Sequence, residues 1–306
     1  MKKGKYLITG CAGFIGSHLV NFLYKNFDVI LVDDLSEGSR SNLPKMLQKK
    51  LIKRRIQDLK SLNFRGIKGI FHLAAQSSVP ISVNNFYKSS TNNLSSSLKV
   101  FEIAKKFSIP IVYASSSAVY GNLSVGDDIK NNLDISSPYA QDKLSLENYA
   151  KTFFKNFNIS SVGLRFFNVY GPNQKADSPY SAVIPIFIDR MRKNAPVTIN
   201  GGYQTRDFIY IEDILNIMKL SMQLAQSKKN SIIVNVGTGR SVNINYLFKI
   251  IKKDIPNNSK IIIKKLDKFD PKKSSGKFKK FKKVFKNKII KLTKLEDGLV
   301  KTIASY

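Results

Sequence analysis

The chain has 306 residues, enough for one large or two ordinary domains with a sizeable core, and its 42% apolar content is that of a folded protein. The formal net charge of +30 invites a polyanion partner, but the basic residues are spread along the whole chain without a nucleic-acid-binding signature, so no nucleic-acid partner is expected. The single cysteine, Cys11, excludes an internal disulfide and favours a cytoplasmic protein, and no apolar run approaches the roughly 20 residues of a membrane span, so no membrane partner is expected either.

Lys2, Lys3 and Lys5 followed by Tyr6 to Ile15 mimic a short signal peptide, but Gly10, Gly13 and Gly16 punctuate that run. Tyr6 to Thr9 reads instead as a strand closed by Gly10, with a helical pattern following through Phe14, Leu19, Val20 and Leu23. Val29 to Val32 is a second buried strand, closed by Asp33 and Asp34. Further strands are predicted at Gly69 to Leu73, Pro110 to Ala114, Ser160 to Leu164 and Ile232 to Val236, with amphipathic helices such as Asn92 to Lys106 and Tyr139 to Phe157 between them. Continuous apolar strands alternating with helices predict an α/β fold with a doubly wound, parallel Rossmann-type sheet.

After Asn168 the pattern loosens. Ala182 to Arg192 and Ile211 to Leu224 read as helices, Val197 to Ile199 and Phe208 to Tyr210 as short strands around the Gly201-Gly202 turn, and Ser241 as the cap of a helix from Val242 to Lys252. From Lys264 to Lys291 the chain is nearly all lysine with scattered phenylalanine, either a solvated helix or a poorly ordered segment. The expected division is a cofactor domain of residues 1–167, with 205–236 returning to it, and a smaller C-terminal substrate-binding domain of 168–204 and 237–306.

Two stretches carry chemistry. Strand, then Gly10-Cys11-Ala12-Gly13-Phe14-Ile15-Gly16, then helix is the arrangement that binds a dinucleotide: Gly10 makes the tight turn, Gly13 lets backbone approach the pyrophosphate, Gly16 permits close helix packing, and the helix N-terminus offers unpaired N–H groups to the anion. Asp33 ends the second strand, where a carboxylate accepts hydrogen bonds from the adenosine ribose and repels a 2′-phosphate, which favours NAD over NADP, although Arg40 lies nearby. In the second stretch, Ser137-Pro138-Tyr139-Ala140-Gln141-Asp142-Lys143, Ser caps and Pro opens a helix on which Tyr139 and Lys143, spaced i, i+4, share a face. An isolated pair of this kind is most often a surface coincidence, so its meaning depends on the rest of the chain.

These residues resemble the extended short-chain dehydrogenase/reductases and, among them, the UDP-glucose and UDP-N-acetylglucosamine 4-epimerases. The matching pieces run in order over about residues 5 to 245: Gly10 to Gly16, Val32-Asp33-Asp34-Leu35, His72 to Gln76, Asn92-Asn93, Ser115 to Gly121, Pro138-Tyr139 to Lys143, Arg165 to Pro172, and Arg206 to Tyr210. The resemblance implies an NAD-dependent epimerase that inverts C4 of a UDP-hexose. It assigns Ser116, Tyr139 and Lys143 to catalysis, with Ser117 as the alternative serine. Gly10, Gly13, Phe14, Ile15, Gly16, Asp33 and Asp34 would hold the cofactor, with Asp58 and Leu59 beside the adenine, Leu73, Ala74 and Ala75 as a wall beneath it, Asn93 near the nicotinamide end, and Phe166, Tyr139 and Lys143 completing the set. Ser116, Asn168 and Arg206 would meet the nucleotide sugar, and Ala182, Val183 and Ile199 would line the uridine pocket. It also implies a homodimer, formed by the helices carrying Leu98, Phe101 and Ile103 and Leu144, Leu146, Tyr149, Phe153 and Phe154.

Tyr139 as general base must ionise far below a free phenol's pKa near 10, a shift of ~3 units or ~4 kcal/mol. One ammonium about 4 Å away supplies ~1 to ~4 kcal/mol, so Lys143 alone is marginal and the positive nicotinamide of NAD⁺ is expected to help. Relatives that eliminate water generally carry an acid shortly after the catalytic Ser/Thr; here Ser117, Ala118 and Val119 follow Ser116, which favours epimerisation over dehydration or decarboxylation. A net oxidoreductase on the same scaffold and a catalytically idle polyanion binder are the alternatives. His18 and His72 lack His, Cys or carboxylate neighbours at ligand spacing, so no metal is expected. The chain departs from the family beyond about residue 260, where Lys264-Lys265-Leu266-Asp267-Lys268-Phe269-Asp270 replaces an Arg-x-Gly-Asp-like stretch, and lysine lacks arginine's bidentate geometry. Leu295 to Leu299 resembles the family's closing helix.

Overall fold

The computed structural model describes residues 4–59, 64–130, 132–176, 182–266, 270–285 and 291–306. The chain forms two compact units: Met1–Ser116, Ser137–Arg165 and Leu215–Val234 make the first, and Ser117–Ser136, Phe166–Ile214 and Asn235–Tyr306 the second. Relative to the expected division, residues 117–136, 166–167, 205–214 and 235–236 belong to the second unit. Strand pairing draws several of them there: Gly126–Asp127 pairs with Gly276–Lys277, and Thr205–Tyr210 pairs with Asn168–Tyr170, Ser241–Asn243 and Lys273–Ser274.

The first unit is built on a seven-stranded sheet in the order Ser231–Val236, Ser161–Phe166, Ile111–Ser116, Ile67–His72, Lys5–Thr9, Asp28–Asp33, Leu51–Lys53. Lys5–Thr9 pairs in parallel with both Asp28–Asp33 and Ile67–His72, so the winding reverses at this strand. Leu7 and Ile8 point to opposite faces and both are fully buried, which is why the strand reads as an unbroken apolar run rather than an alternating one. The edge strand Leu51–Lys53 escapes the sequence reading because three residues ending in lysine carry no periodic signal.

Helix Phe86–Phe107 begins six residues before the predicted Asn92, because Ser89, Ser90 and Thr91 hide its apolar stripe, and it ends at Ser108 in the left-handed conformation (φ 50°). Helix Pro138–Phe157 starts as the sequence implies, with the Ser137 hydroxyl accepting from the Ala140 N–H at 3.2 Å. Its buried face carries Tyr139, Ala140, Asp142, Lys143, Leu146, Glu147 and Ala150, four of them ionisable. Leu146, Val100, Phe101, Ile103 and Ala104 from the two helices join a core with Leu7, Val32, Ile70, Ile111 and Tyr113, and Phe153 packs against it.

In the second unit Ile261–Lys264 also pairs in parallel with Val197–Asn200, and helices Val183–Arg192, Ile244–Asp254 and Leu295–Ile303 complete the described scaffold. Ser241 does not cap a helix: Ser241–Asn243 is a strand, and Asn243 caps the helix that follows by accepting from Tyr246 N–H at 2.7 Å. Much of the lysine-rich segment is ordered, as strands Lys273–Ser274 and Gly276–Lys277 and helix Lys279–Val284. Its phenylalanines are what fold it, since Phe278 meets Phe167 edge-on at 5.6 Å and Phe285 is buried against Phe281. Asp267, Lys268, Phe269 and residues 286–290 of that segment lie outside the described residues. Among the described residues no helix is long and apolar enough to cross a membrane.

Candidate active site

In the first unit a cleft opens at the carboxyl ends of the strands flanking the reversal, the place where open α/β sheets bind ligands. Its walls include Gly10 and Gly13, Asp33 and Asp34, and Leu73, Ala74 and Ala75, all anticipated from sequence. Gly10 has φ +67°, and a Cβ there would lie 2.6 Å from Ala74 N; a Cβ on Gly16 would lie 1.9 Å from the Gly10 carbonyl. The loop is thus closed so tightly that only glycine fits at both positions, and Phe14 and Ile15 open the helix whose first N–H groups face the cradle. Asp33 ties this loop to the second strand, accepting from Ala12 N–H and Leu35 N–H at 2.8 Å each. Burial pushes its pKa up while those two N–H groups pull it down. These features fit a dinucleotide: an open cradle without side chains for the pyrophosphate, and a carboxylate with free lone pairs for a ribose.

Other residues expected to contact the cofactor are not part of this cleft's lining. Asp58 is paired with Arg55 at 2.7 Å and Leu59 is buried in the core; the preceding Ile56 and Gln57 face the cleft instead, because the short turn Ile56–Asp58 rotates them inward. Asn92 lines the cleft, joined by Ser96 one helical turn on, whereas Asn93 is buried behind it. Arg40 donates to the Gln48 carbonyl at 3.1 Å and is not a lining residue; nor are Phe14, Ile15, Gly16, Tyr139, Lys143 and the buried Phe166. Ser36, Glu37, Arg54 and Arg55 line the cleft without having been singled out, since loop residues have no periodicity to betray them.

The proton-transfer candidates assemble as the spacing predicts. The Tyr139 phenol hydrogen-bonds the Ser116 hydroxyl at the end of strand Ile111–Ser116, while Ser117 opens the next turn. The Lys143 ammonium donates to the Ala114 carbonyl at 2.8 Å and lies 5.6 Å from the centre of the Tyr139 ring. Burial raises the Tyr139 pKa to about 12, with the Ser116 hydrogen bond opposing and the Asp142 charge reinforcing the rise. Burial lowers Lys143 to about 8, against the pull of Asp142 and Glu147. His72, hydrogen-bonded to Thr9 and Ser97, is held neutral by burial and by Lys143, its pKa lowered to about 3.

A second cavity, of about 330 Å³, lies wholly within the second unit. Asn168, Ala182, Val183 and Arg206 line it as expected, together with Thr198, Asn200, Gln204, Phe208 and Asp270. Ile199 does not line it: strand alternation turns its side chain into the core and presents Thr198 and Asn200 instead. Arg206 is nearly buried, donates to its own strand's Thr205 carbonyl at 2.8 Å, and is ion-paired with Asp270 from the lysine-rich segment. Asn168 donates to the Asp207 carbonyl at 3.2 Å. Asp270 carries no sequence signal for this contact, since it lies 64 residues from Arg206 in a lysine-rich stretch.

Residues 6–237 match the model of the NAD dependent epimerase/dehydratase family. The chain belongs to that family. It is an enzyme of the family, with NAD as cofactor. It is 38% identical over 257 residues to a putative UDP-glucose 4-epimerase of Methanocaldococcus jannaschii, covering 81% of this chain and 82% of that one. Among solved structures, a UDP-N-acetylglucosamine 4-epimerase from Methanobrevibacter ruminantium in complex with UDP-N-acetylmuramic acid superposes with a TM-score of 0.89 at 34% identity, covering 100% and 98% of the two chains. A Thermus thermophilus UDP-glucose 4-epimerase in complex with NAD superposes with a TM-score of 0.85 at 26% identity, covering 98% of each.

Proposed function

We propose that this family member inverts C4 of a UDP-hexose through a 4-keto sugar, with Tyr139 as the general base. The observation that carries the reading is the cluster of Ser116, Tyr139 and Lys143, in which a buried phenol is hydrogen-bonded to a serine hydroxyl beside a buried ammonium. Ser117, Ala118 and Val119 follow Ser116, so the loop offers no acid to expel a hydroxyl, and a reaction that needs none is favoured. The relatives named above as 4-epimerases of UDP-sugars support the same reaction.

The Gly10 to Gly16 loop, Asp33 and the Leu73 to Ala75 wall would hold NAD, which when bound would supply the hydride acceptor and donor for C4. Tyr139 withdraws the C4 hydroxyl proton, Ser116 hydrogen-bonds the C4 oxygen and helps pass the proton, and Lys143 stabilises the phenolate. In the second unit Arg206 offers the diphosphate its guanidinium, and Asn168 a polar group. Leu98, Tyr149 and Phe157 remain exposed on the two long helices, the apolar surface a homodimer would bury.

The deciding experiment incubates the purified protein with a panel of UDP-sugars, following C4 inversion by NMR and NADH by absorbance. Inversion without net NADH, abolished in Tyr139→Phe with NAD content unchanged, is the expected result. Steady NADH accumulation would replace this reading with that of an oxidoreductase.

A further inference from the structure

Ala12 lies inside the glycine cradle, between Gly10 and Gly13, and is held by groups from outside the loop. Its N–H donates to the Asp33 carboxylate at 2.8 Å. Its carbonyl, on a residue with no exposed surface, accepts from the side-chain amide of Asn42 at 2.8 Å and from the Ser39 N–H at 3.1 Å. Both of these donors sit on one short strap that follows the second strand, and the strap passes so close that a Cβ on Gly38 would lie 2.6 Å from the Ala12 carbonyl carbon. The strap is closed on itself. The Ser39 hydroxyl caps the short turn Arg40–Asn42 by accepting from the Ser41 N–H at 3.3 Å, and the Asn42 N–H donates to the Ser39 carbonyl at 3.0 Å. The buried Leu43 and Leu47 anchor its far end, where Arg40 donates to the Gln48 carbonyl at 3.1 Å.

We propose that Asn42 is a positioning residue for the cofactor: its amide commits the Ala12 carbonyl to the protein, so that the cradle offers N–H groups and no loose carbonyl oxygen to the pyrophosphate. A carbonyl oxygen is the negative end of its peptide, and turned toward a pyrophosphate it would repel it. Glycine at position 13 leaves the Ala12–Gly13 peptide free to rotate, so the restraint has to come from outside the loop. Asn42 supplies the shorter of the two bonds, and the Ser39 N–H alone would leave a buried carbonyl half satisfied. Asn42 does not line the cleft, so it acts on the cofactor only through Ala12. The role concerns the cradle alone and is independent of Tyr139 and of the sugar turned over.

Asn42→Asp and Asn42→Ala separate the donor from its bulk. Aspartate keeps the size of asparagine but as a carboxylate can only accept, whereas alanine removes both. The Kd for NAD⁺ is read by equilibrium dialysis of the full-length protein, and the backbone amide of Gly13 is followed by NMR. Asn42→Ala should raise the Kd by about 3- to 10-fold, the worth of one neutral hydrogen bond, and Asn42→Asp should raise it at least as much. The Gly13 amide resonance, on the peptide whose carbonyl loses its donor, should shift in both variants while those of the edge strand Leu51–Lys53 stay in place. If the alanine variant folds poorly, Asn42→Ser, too short to reach the carbonyl, takes its place with the same expected rise. A Kd like the parent's in either folded variant overturns the proposal: with the aspartate it would show that Asn42 only fills space, and with the alanine that the carbonyl needs no side-chain donor. A Gly13 resonance that does not move in a folded variant overturns it equally. Absence of sugar inversion by the parent would sink the reaction assignment alone, because neither readout needs a substrate.

Discussion

Removing or reducing the cofactor should switch the base off. Tyr139 stands at a pKa of about 12, so half-ionisation near pH 7 requires a fall of ~5 units, or ~7 kcal/mol, larger than the ~3 units that a free phenol would need. Lys143, 5.6 Å from the ring centre, contributes ~3 kcal/mol at an effective dielectric of ~20. About 4 kcal/mol remains, close to what one more positive charge ~4 Å away supplies at the same dielectric. Oxidised nicotinamide carries that charge and reduced nicotinamide does not. The assay is a phenolate titration of the cofactor-free, NAD⁺-loaded and NADH-loaded protein against a Tyr139→Phe blank. Tyr139 should titrate above pH 10 in the free and NADH-loaded forms and near neutrality with NAD⁺. Equal midpoints with NAD⁺ and NADH would refute the charge argument, whatever the enzyme's substrate.

Glu147→Gln should destabilise the protein by about 3–5 kcal/mol, because Arg165, 1% exposed, keeps its charge and loses its partner; a loss under about 1 kcal/mol in denaturant unfolding would mean that water reaches the pair. Arg206→Ala should raise the KM for the UDP-sugar by about 10- to 100-fold, the worth of a charge-assisted hydrogen bond to the diphosphate. Neutralising Lys264 and Lys265 should raise it only a few-fold, since Lys264 pairs with the cavity residue Asn200 but neither lysine lines the cavity. A larger effect from the lysines than from Arg206 would move the anion hold to that strand.

The sequence by itself determined the doubly wound sheet, the glycine cradle with Asp33, and the placement of Tyr139 and Lys143 on one helical face. Each of these depends on neighbours within one strand or one helical turn, where apolar runs, caps and i, i+4 spacing carry the information. Tertiary structure decided what no local pattern encodes. It put Ile56 and Gln57 rather than Asp58 and Leu59 at the cleft, turned Ile199 into the core, and folded the lysine-rich segment on Phe278 and Phe285. It joined Asp270 to Arg206 across 64 residues, and buried Glu147 against Arg165. Burial and the identity of a distant partner set the free energy of a charge, and both are properties of the packed chain.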